Sequence, residues 1–296
     1  MSKMLITGVG GFIGSKCLEF FKSNYDIFGI DKNYNSGDNF KKGLVNLENL
    51  KSFNTEFDII LHFAGSATVA EAEDNPEEER KKTVNSTKDL LEFIRLHNKN
   101  AKLIYASSAA VYGDNHSEKI KETNCTEPIS KYGKNKLEAE QLCREYSEKY
   151  NLDIKVIRFF SVYGEGLRKQ VLWSFSEKLK QKNENTVSCY GTGEESRDFI
   201  HISDVIDFIN IVISQNKGFD IFNCGTGQSC KIEKTLLELA KCYNKDIELC
   251  FDNIIHKGNP FSLVADIEKA KKIGFVPKVS IQNGLEKYAK WFKEEN

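Results

Sequence analysis

The sequence has no apolar run approaching the roughly 18 to 20 residues that cross a bilayer. Met1 to Leu5 leads straight into a strand-like segment without the basic and apolar regions of a signal peptide, so a soluble, cytoplasmic protein is expected. Only 4 of 296 residues are proline, and no Pro-, Gly- or Ser-rich linker, internal repeat or low-complexity tract interrupts the chain. Net charge is also lacking: the formal value is -1, and the basic residues are interleaved with acids rather than gathered in a stripe. Neither nucleic acid nor membrane is expected as a partner, and a small molecule is favoured. Cysteine is present, at Cys17, Cys125, Cys143, Cys189, Cys224, Cys230, Cys242 and Cys250, but no C-x-x-C pair and no histidine at zinc-finger spacing accompanies it. These are read as reduced, buried or half-buried thiols, with no metal site.

What is there begins with a hydrophobic content of 40%, enough for a full core in one large domain with a smaller lobe. Residues 3–7, 25–31, 57–65, 101–108 and 152–160 are nearly continuous in Ile, Leu, Val, Phe and Tyr, as strands covered on both faces must be. Between them, 12–23, 77–97 and 130–150 carry apolar positions at helical spacing. The alternation predicts an α/β fold, a Rossmann-type doubly wound parallel sheet. After about residue 165 the rhythm changes: helices near 170–182 and 232–243, a strand at "FDIFNCG" and a helix from Ile281 suggest a smaller C-terminal α/β lobe interleaved with the end of the sheet. The division predicted is 1–165 for cofactor and catalytic residues and 166–296 for substrate.

"LITGVGGFIG" places Gly8, Gly11 and Gly14 between the first strand and the first helix. Unpaired N–H groups at a helix start, with no Cβ in the way, suit a pyrophosphate. Twenty residues past Gly11, Asp31 ends the second strand, where a carboxylate accepts from a ribose 2'-hydroxyl and repels a 2'-phosphate. NAD is expected; Lys32 and Asn33 beside the acid keep NADP open.

Of eleven tyrosines, only Tyr132 has a lysine four residues on, Lys136. That offset puts both on one helical face, and an ammonium beside a phenol is expected to lower its pKa toward neutrality, making a general acid or base. Ser108, ending "LIYASS", is the candidate third member, with a hydroxyl able to hold the substrate oxygen.

Together "TGVGGFIG", "DIILHFAG", "ASSAAVYGD", "YGKNK", "IRFFSVYGEG" and "GTGEESRDFIHISDV" resemble the extended short-chain dehydrogenase/reductase family, in its NAD-dependent nucleotide-sugar epimerase and dehydratase branch, over nearly the whole chain. The resemblance implies Tyr132, Lys136 and Ser108 as catalytic, Lys136 also holding the nicotinamide ribose, and Asn85 keeping a water and the helix geometry in place. It implies cofactor contacts from Gly8, Gly11, Phe12, Ile13, Gly14, Asp31, Lys32, Phe63, Ala64 and Gly65. It implies substrate contacts from Ser108, Ser161, Arg197 and His256, with Arg197 on the sugar nucleotide's diphosphate. A homodimer built on helices 77–97 and 130–150 is implied as well. His62 and His201 lie in apolar strands and are read as packing residues.

Relatives that eliminate water across C5 and C6 carry an Asp-Glu pair after the serine, where this chain has Ala109 and Ala110. A nucleotide-sugar C4 oxidoreductase remains, first of all a 4-epimerase working through a transient 4-keto sugar. The alternative is a 4-ketoreductase or 4-dehydrogenase with net redox; a 4,6-dehydratase ranks behind both, and a non-catalytic dinucleotide sensor last. The chain departs from the family at Ser161, where an Asn is usual, at His256 and Asn259 in place of Arg and Asp, and at Leu44 in place of an adenine-binding Asp.

Overall fold

The structure, a computed structural model, describes all residues except 35–36, 66–68, 115–117, 182–185, 255–257 and 296. The first half runs β1 (Lys3–Thr7), α1 (Phe12–Phe21), β2 (Asp26–Asp31), β3 (Phe40–Lys42), α2 (Leu47–Lys51), β4 (Ile59–His62), α3 (Val69–Asp74), α4 (Pro76–Arg80), a π turn (Lys81–Asn85), α5 (Ser86–His97), β5 (Lys102–Ser108), a 3₁₀ turn (Ala109–Tyr112), α6 (Lys131–Tyr150) and β6 (Asp153–Phe159). The second runs β7 (Ser161–Tyr163), α7 (Gln170–Gln181), β8 (Thr186–Cys189), β9 (Ser196–Arg197), β10 (Phe199–His201), α8 (Ile202–Ile213), β11 (Phe219–Cys224), β12 (Cys230–Lys231), α9 (Ile232–Cys242), β13 (Glu248–Phe251), β14 (Ser262–Leu263), α10 (Glu268–Lys272) and α11 (Ile281–Glu295).

Seven strands form one parallel sheet in the order β11-β6-β5-β4-β1-β2-β3. Side chains alternate across it: Met4, Ile6, Leu61, Ile104 and Ile157 pack with Cys17, Phe21, Val205 and Phe208 on one face. Leu5, Ile60, Leu103 and Val156 pack with Leu90, Leu91, Ile94 and Ala139 on the other. Both faces are therefore dry, which explains the unbroken apolar strands, each buried aliphatic side chain contributing about 1.5–3 kcal/mol. Helix α8 was hidden in the sequence because it is apolar on nearly every side; it packs against α1, with His201 capping its first turn by accepting from Ser203 N.

A separate core of Tyr163, Leu172, Phe175, Leu236, Leu239, Leu285 and Tyr288 joins α7, α9 and α11. The helix expected over 77–97 is broken in two by the π turn. All eight cysteines are free, but Cys125 and Cys250 are exposed, not half-buried as expected, since each stands on a loop or edge strand outside the cores. Among the described residues no helix is long and apolar enough to cross a membrane.

Candidate active site

The sheet order reverses at β1, whose neighbours are β4 and β2, so the chain leaves the C-terminal ends of β1 and β4 toward opposite faces and opens a crevice between them. Thr7 pairs with His62 across these strands, making the turns at Gly8 and Phe63 neighbours. Gly8 has φ +72°, and a Cβ there would lie 2.7 Å from Ala64 N and 2.8 Å from the Phe63 carbonyl carbon. A Cβ on Gly14 would lie 2.1 Å from Gly8 O, so the start of α1 rests directly on the turn. Gly11 caps α1 without any side-chain bond, while half-buried Phe12 and Ile13 anchor the first turn in the core. First-turn N–H groups have no intrahelical partner and carry the positive end of the helix dipole. The cradle thus fits a dinucleotide's pyrophosphate: bare backbone where the phosphates would approach and donors aimed at them.

Asp31 sits over this turn. Its Oδ2 accepts from Gly10 N at 3.2 Å and its Oδ1 from Asn33 N at 2.8 Å, while Lys32 is exposed. Leu44 is 54% exposed, its side chain offers no polar group, and its carbonyl accepts from Asn49 Nδ2.

Ser108, Tyr132 and Lys136 do come together. Ser130 caps α6 by accepting from Gly133 N at 3.0 Å, which fixes the helix start and presents Tyr132 and Lys136 one turn apart. The Tyr132 hydroxyl faces Ser108, which pulls its pKa down, and the Ser108 Oγ accepts from Ala110 N at 3.2 Å. Lys136 is buried; its Nζ donates to Ala106 O at 2.8 Å and lies 5.9 Å from the Tyr132 ring centre. A Cβ on Gly65 would meet that Nζ at 3.6 Å, so the lysine reaches across to the turn after β4 and joins the two halves of the site.

The expected acidic phenol is not found. Burial pushes Tyr132 up to about 12, outweighing the pull of Ser108, and Glu79 adds to the rise. Lys136 yields most of its own charge preference to burial, which brings it down to about 8 against the pull of Glu79 and Glu140.

Asn85 does not join this group. It ends the π turn exposed, its Oδ1 accepting from Arg80 Nη1 at 3.3 Å. The π turn rotates the chain so that Thr83 faces inward instead, its Oγ1 donating to Glu79 Oε1 at 2.6 Å and lying 3.4 Å from where a Gly65 Cβ would be. Glu79, Thr83 and Thr87, spaced four apart, were missed in the sequence, where that recurrence was the available signal. Behind them, Ala64 N donates to Thr7 Oγ1, Thr7 Oγ1 donates to His62 Nδ1 at 2.6 Å, and His62 Nε2 donates to Thr87 Oγ1 at 3.1 Å, which donates to Thr83 O. This order requires neutral His62, and burial followed by the charge of Lys136 lowers it to about 3.

Ser161 begins β7, half-buried, its N–H donating to Asp198 O. Arg197 lies on β9, donating through Nη1 to Ser196 O and Phe261 O; burial lowers its pKa against the pull of Glu195 and of Asp114, which follows the 3₁₀ turn after Ser108. His256 lies outside the described residues, and Asn259 is exposed. His201 is buried as expected, and also pairs through Nε2 with Glu165 Oε2 at 2.9 Å, holding that carboxyl down at about 2.

The model of the NAD dependent epimerase/dehydratase family matches residues 4–225. Among curated relatives, an uncharacterised protein of Methanocaldococcus jannaschii is 30% identical over 98% of this chain and 96% of its own. The UDP-glucuronate 4-epimerase of Thermodesulfobacterium geofontis is 28% identical over 99% of this chain and 97% of its own. Among solved structures, UDP-glucuronic acid 4-epimerase from Bacillus cereus, in complex with UDP-glucuronic acid and NAD, superposes with a TM-score of 0.88 at 26% identity, covering 99% of this chain and 100% of that one.

Proposed function

This chain belongs to the NAD-dependent epimerase/dehydratase family, and from that premise we propose that it is an NAD-dependent UDP-sugar 4-epimerase. The observation that carries the reading is the convergence of Tyr132, Ser108 and Lys136 beside Gly65, at the same crevice that the glycine turn opens. The UDP-sugar 4-epimerases among its relatives support the substrate class.

Gly8, Gly11, Phe12, Ile13 and Gly14 hold the cofactor's pyrophosphate, Asp31 its adenosine ribose, and Phe63, Ala64, Gly65 and Lys136 the nicotinamide side. Bound NAD supplies the hydride acceptor and donor. Tyr132 takes the C4 hydroxyl proton and returns it to the 4-keto oxygen, and a phenol pushed up to about 12 is a strong proton acceptor once ionised. Ser108 holds the same oxygen in line. Arg197 grips the diphosphate and Ser161 lines the sugar pocket. Ala109 and Ala110, in the 3₁₀ turn after Ser108, offer only methyl groups and cannot move the protons that dehydration needs.

In this reading residues 1–165 carry the cofactor and 166–296 the sugar nucleotide, with α8 and β11 returning from the second half to complete the large sheet. The working form is a cytoplasmic homodimer, checked by light scattering on the purified protein. The direct test incubates the protein with UDP-glucose and, separately, UDP-glucuronic acid, following the sugar by proton NMR and NADH by absorbance. Approach to a C4-epimer mixture without accumulating NADH is expected. Stoichiometric NADH, or no conversion of any UDP-hexose, would overturn the reading.

A further inference from the structure

Glu79 is a carboxylate in the wrong place for an ordinary surface helix. It follows exposed Glu77 and half-buried Glu78 on α4, yet is itself only 2% exposed. Burying an ionised carboxylate is costly unless its oxygens are bonded and its charge is met. The oxygens are bonded, while burial still raises the Glu79 carboxyl above its ordinary value against the pull of Thr83, Lys136 and Lys82. Oε1 accepts from Thr83 Oγ1 at 2.6 Å, across the π turn, and Oε2 accepts from Asn135 Nδ2, from the residue beside Lys136 on α6. Thr83 Oγ1 and Lys136 Nζ flank the same point, the position a Gly65 Cβ would occupy, at 3.4 and 3.6 Å.

The charged and titratable groups facing Lys136 are Glu79 from α4, Tyr132, Glu140 and Cys143 from its own helix, His62 from β4 and Tyr105 from β5. His62 is neutral, and burial keeps the Cys143 thiol protonated. Glu140 is engaged elsewhere: Arg158 donates to it through Nε at 3.0 Å and Nη2 at 2.7 Å, and Ser107 Oγ also donates to it. Among the described residues, Glu79 is left as the carboxylate whose charge is not already matched by an arginine. Facing Glu79 in turn are Lys136 and half-buried Lys82.

We propose that Glu79 is the positioning residue of Lys136: fixed by Thr83 and Asn135, its carboxylate keeps the buried lysine in its ammonium form beside Tyr132. The assignment rests on the epimerase reading only for its catalytic consequence. The electrostatic pairing itself is a property of the ligand-free chain. Removing the charge disfavours the ammonium, so Lys136 loses its proton at lower pH, and the neighbouring phenol, no longer facing a carboxylate, ionises at lower pH as well. Both limbs of a pH–rate profile shift toward acid.

The experiment titrates the Lys136 side chain by its 13Cε chemical shift in ligand-free protein, the resonance being assigned by its loss in Lys136→Met. The wild-type midpoint is expected near 8. Glu79→Gln, nearly the same shape without charge, should lower it by about one unit, about a tenfold change in the ratio of forms. Thr83→Val keeps the charge but frees Oε1; it should shift the midpoint the same way by less, and it carries the test if Glu79→Gln does not fold. A midpoint unmoved in a folded variant would overturn the proposal whatever the enzyme turns over. In turnover, Glu79→Gln should lose activity on the alkaline side by about tenfold while holding KM for the UDP-sugar within about twofold. Uniform loss at every pH would mark a merely structural role. Absence of turnover in wild type would count against the epimerase reading alone, because the titration stands without it.

Discussion

Gly8 and Ala64 approach so closely that the two turns bounding the cofactor crevice meet backbone to backbone, with 2.7 Å between the Ala64 nitrogen and the place where a Gly8 methyl would stand. Gly8→Ala must push these turns apart and also hold alanine at φ +72°. A loss of about 2–4 kcal/mol in urea unfolding is expected, with NAD binding weakened at least about tenfold by calorimetry. Unchanged stability would mean that the turns are not in contact.

Asp31 ties the end of β2 to the glycine turn through Gly10 N, and the proposed function gives its carboxylate the adenosine ribose. Asp31→Ser should weaken NAD by about 1–2 kcal/mol while easing the repulsion of a 2'-phosphate, so NADP should gain on NAD. Paired titrations with the two cofactors measure it, and a retained preference for NAD would remove Asp31 from that role.

Tyr132→Phe removes the hydroxyl to which the proposed function gives the proton and leaves the ring in place. Turnover should drop by about 10²–10⁴-fold with NAD affinity held within a few-fold. An enzyme still active at wild-type rate would end the assignment of Tyr132.

His62 makes folding sensitive to acid. Its folded pKa, lowered to about 3 by burial and by Lys136, lies below its ordinary value of 6.5. Between the two the unfolded chain binds more protons, so stability is fully present above about pH 6.5 and is lost as pH falls toward 3. The loss from this group is on the order of 4 kcal/mol, and His62→Gln should flatten that part of a stability–pH curve measured in urea.

The sheet was legible because β1, β2, β4, β5 and β6 are buried on both faces and so are written as unbroken apolar segments. Gly8, Asp31, Ser108, Tyr132 and Lys136 were legible because each sits at a fixed place relative to a strand end or a helix start. Asn85 was taken from the family resemblance, and a motif does not announce the π turn at Lys81–Asn85 that leaves Asn85 exposed and Thr83 facing inward. The acidity expected of Tyr132 failed similarly, since spacing shows that a lysine is near but not how much water both groups have lost. Arg197 stood out by its motif, whereas its backbone partners from β9 and the Phe261 segment depend on contacts across the second lobe.

The widened loop of helix at Lys81–Asn85 also makes this stretch a register device. Excising one residue from it would restore an ordinary α-helical winding and leave everything from Ser86 onward seated as before, while swinging Glu79 around the axis by about 100°. A single-codon deletion there turns Glu79 and Thr83 together away from Lys136, while Ser108 and Tyr132 keep their places.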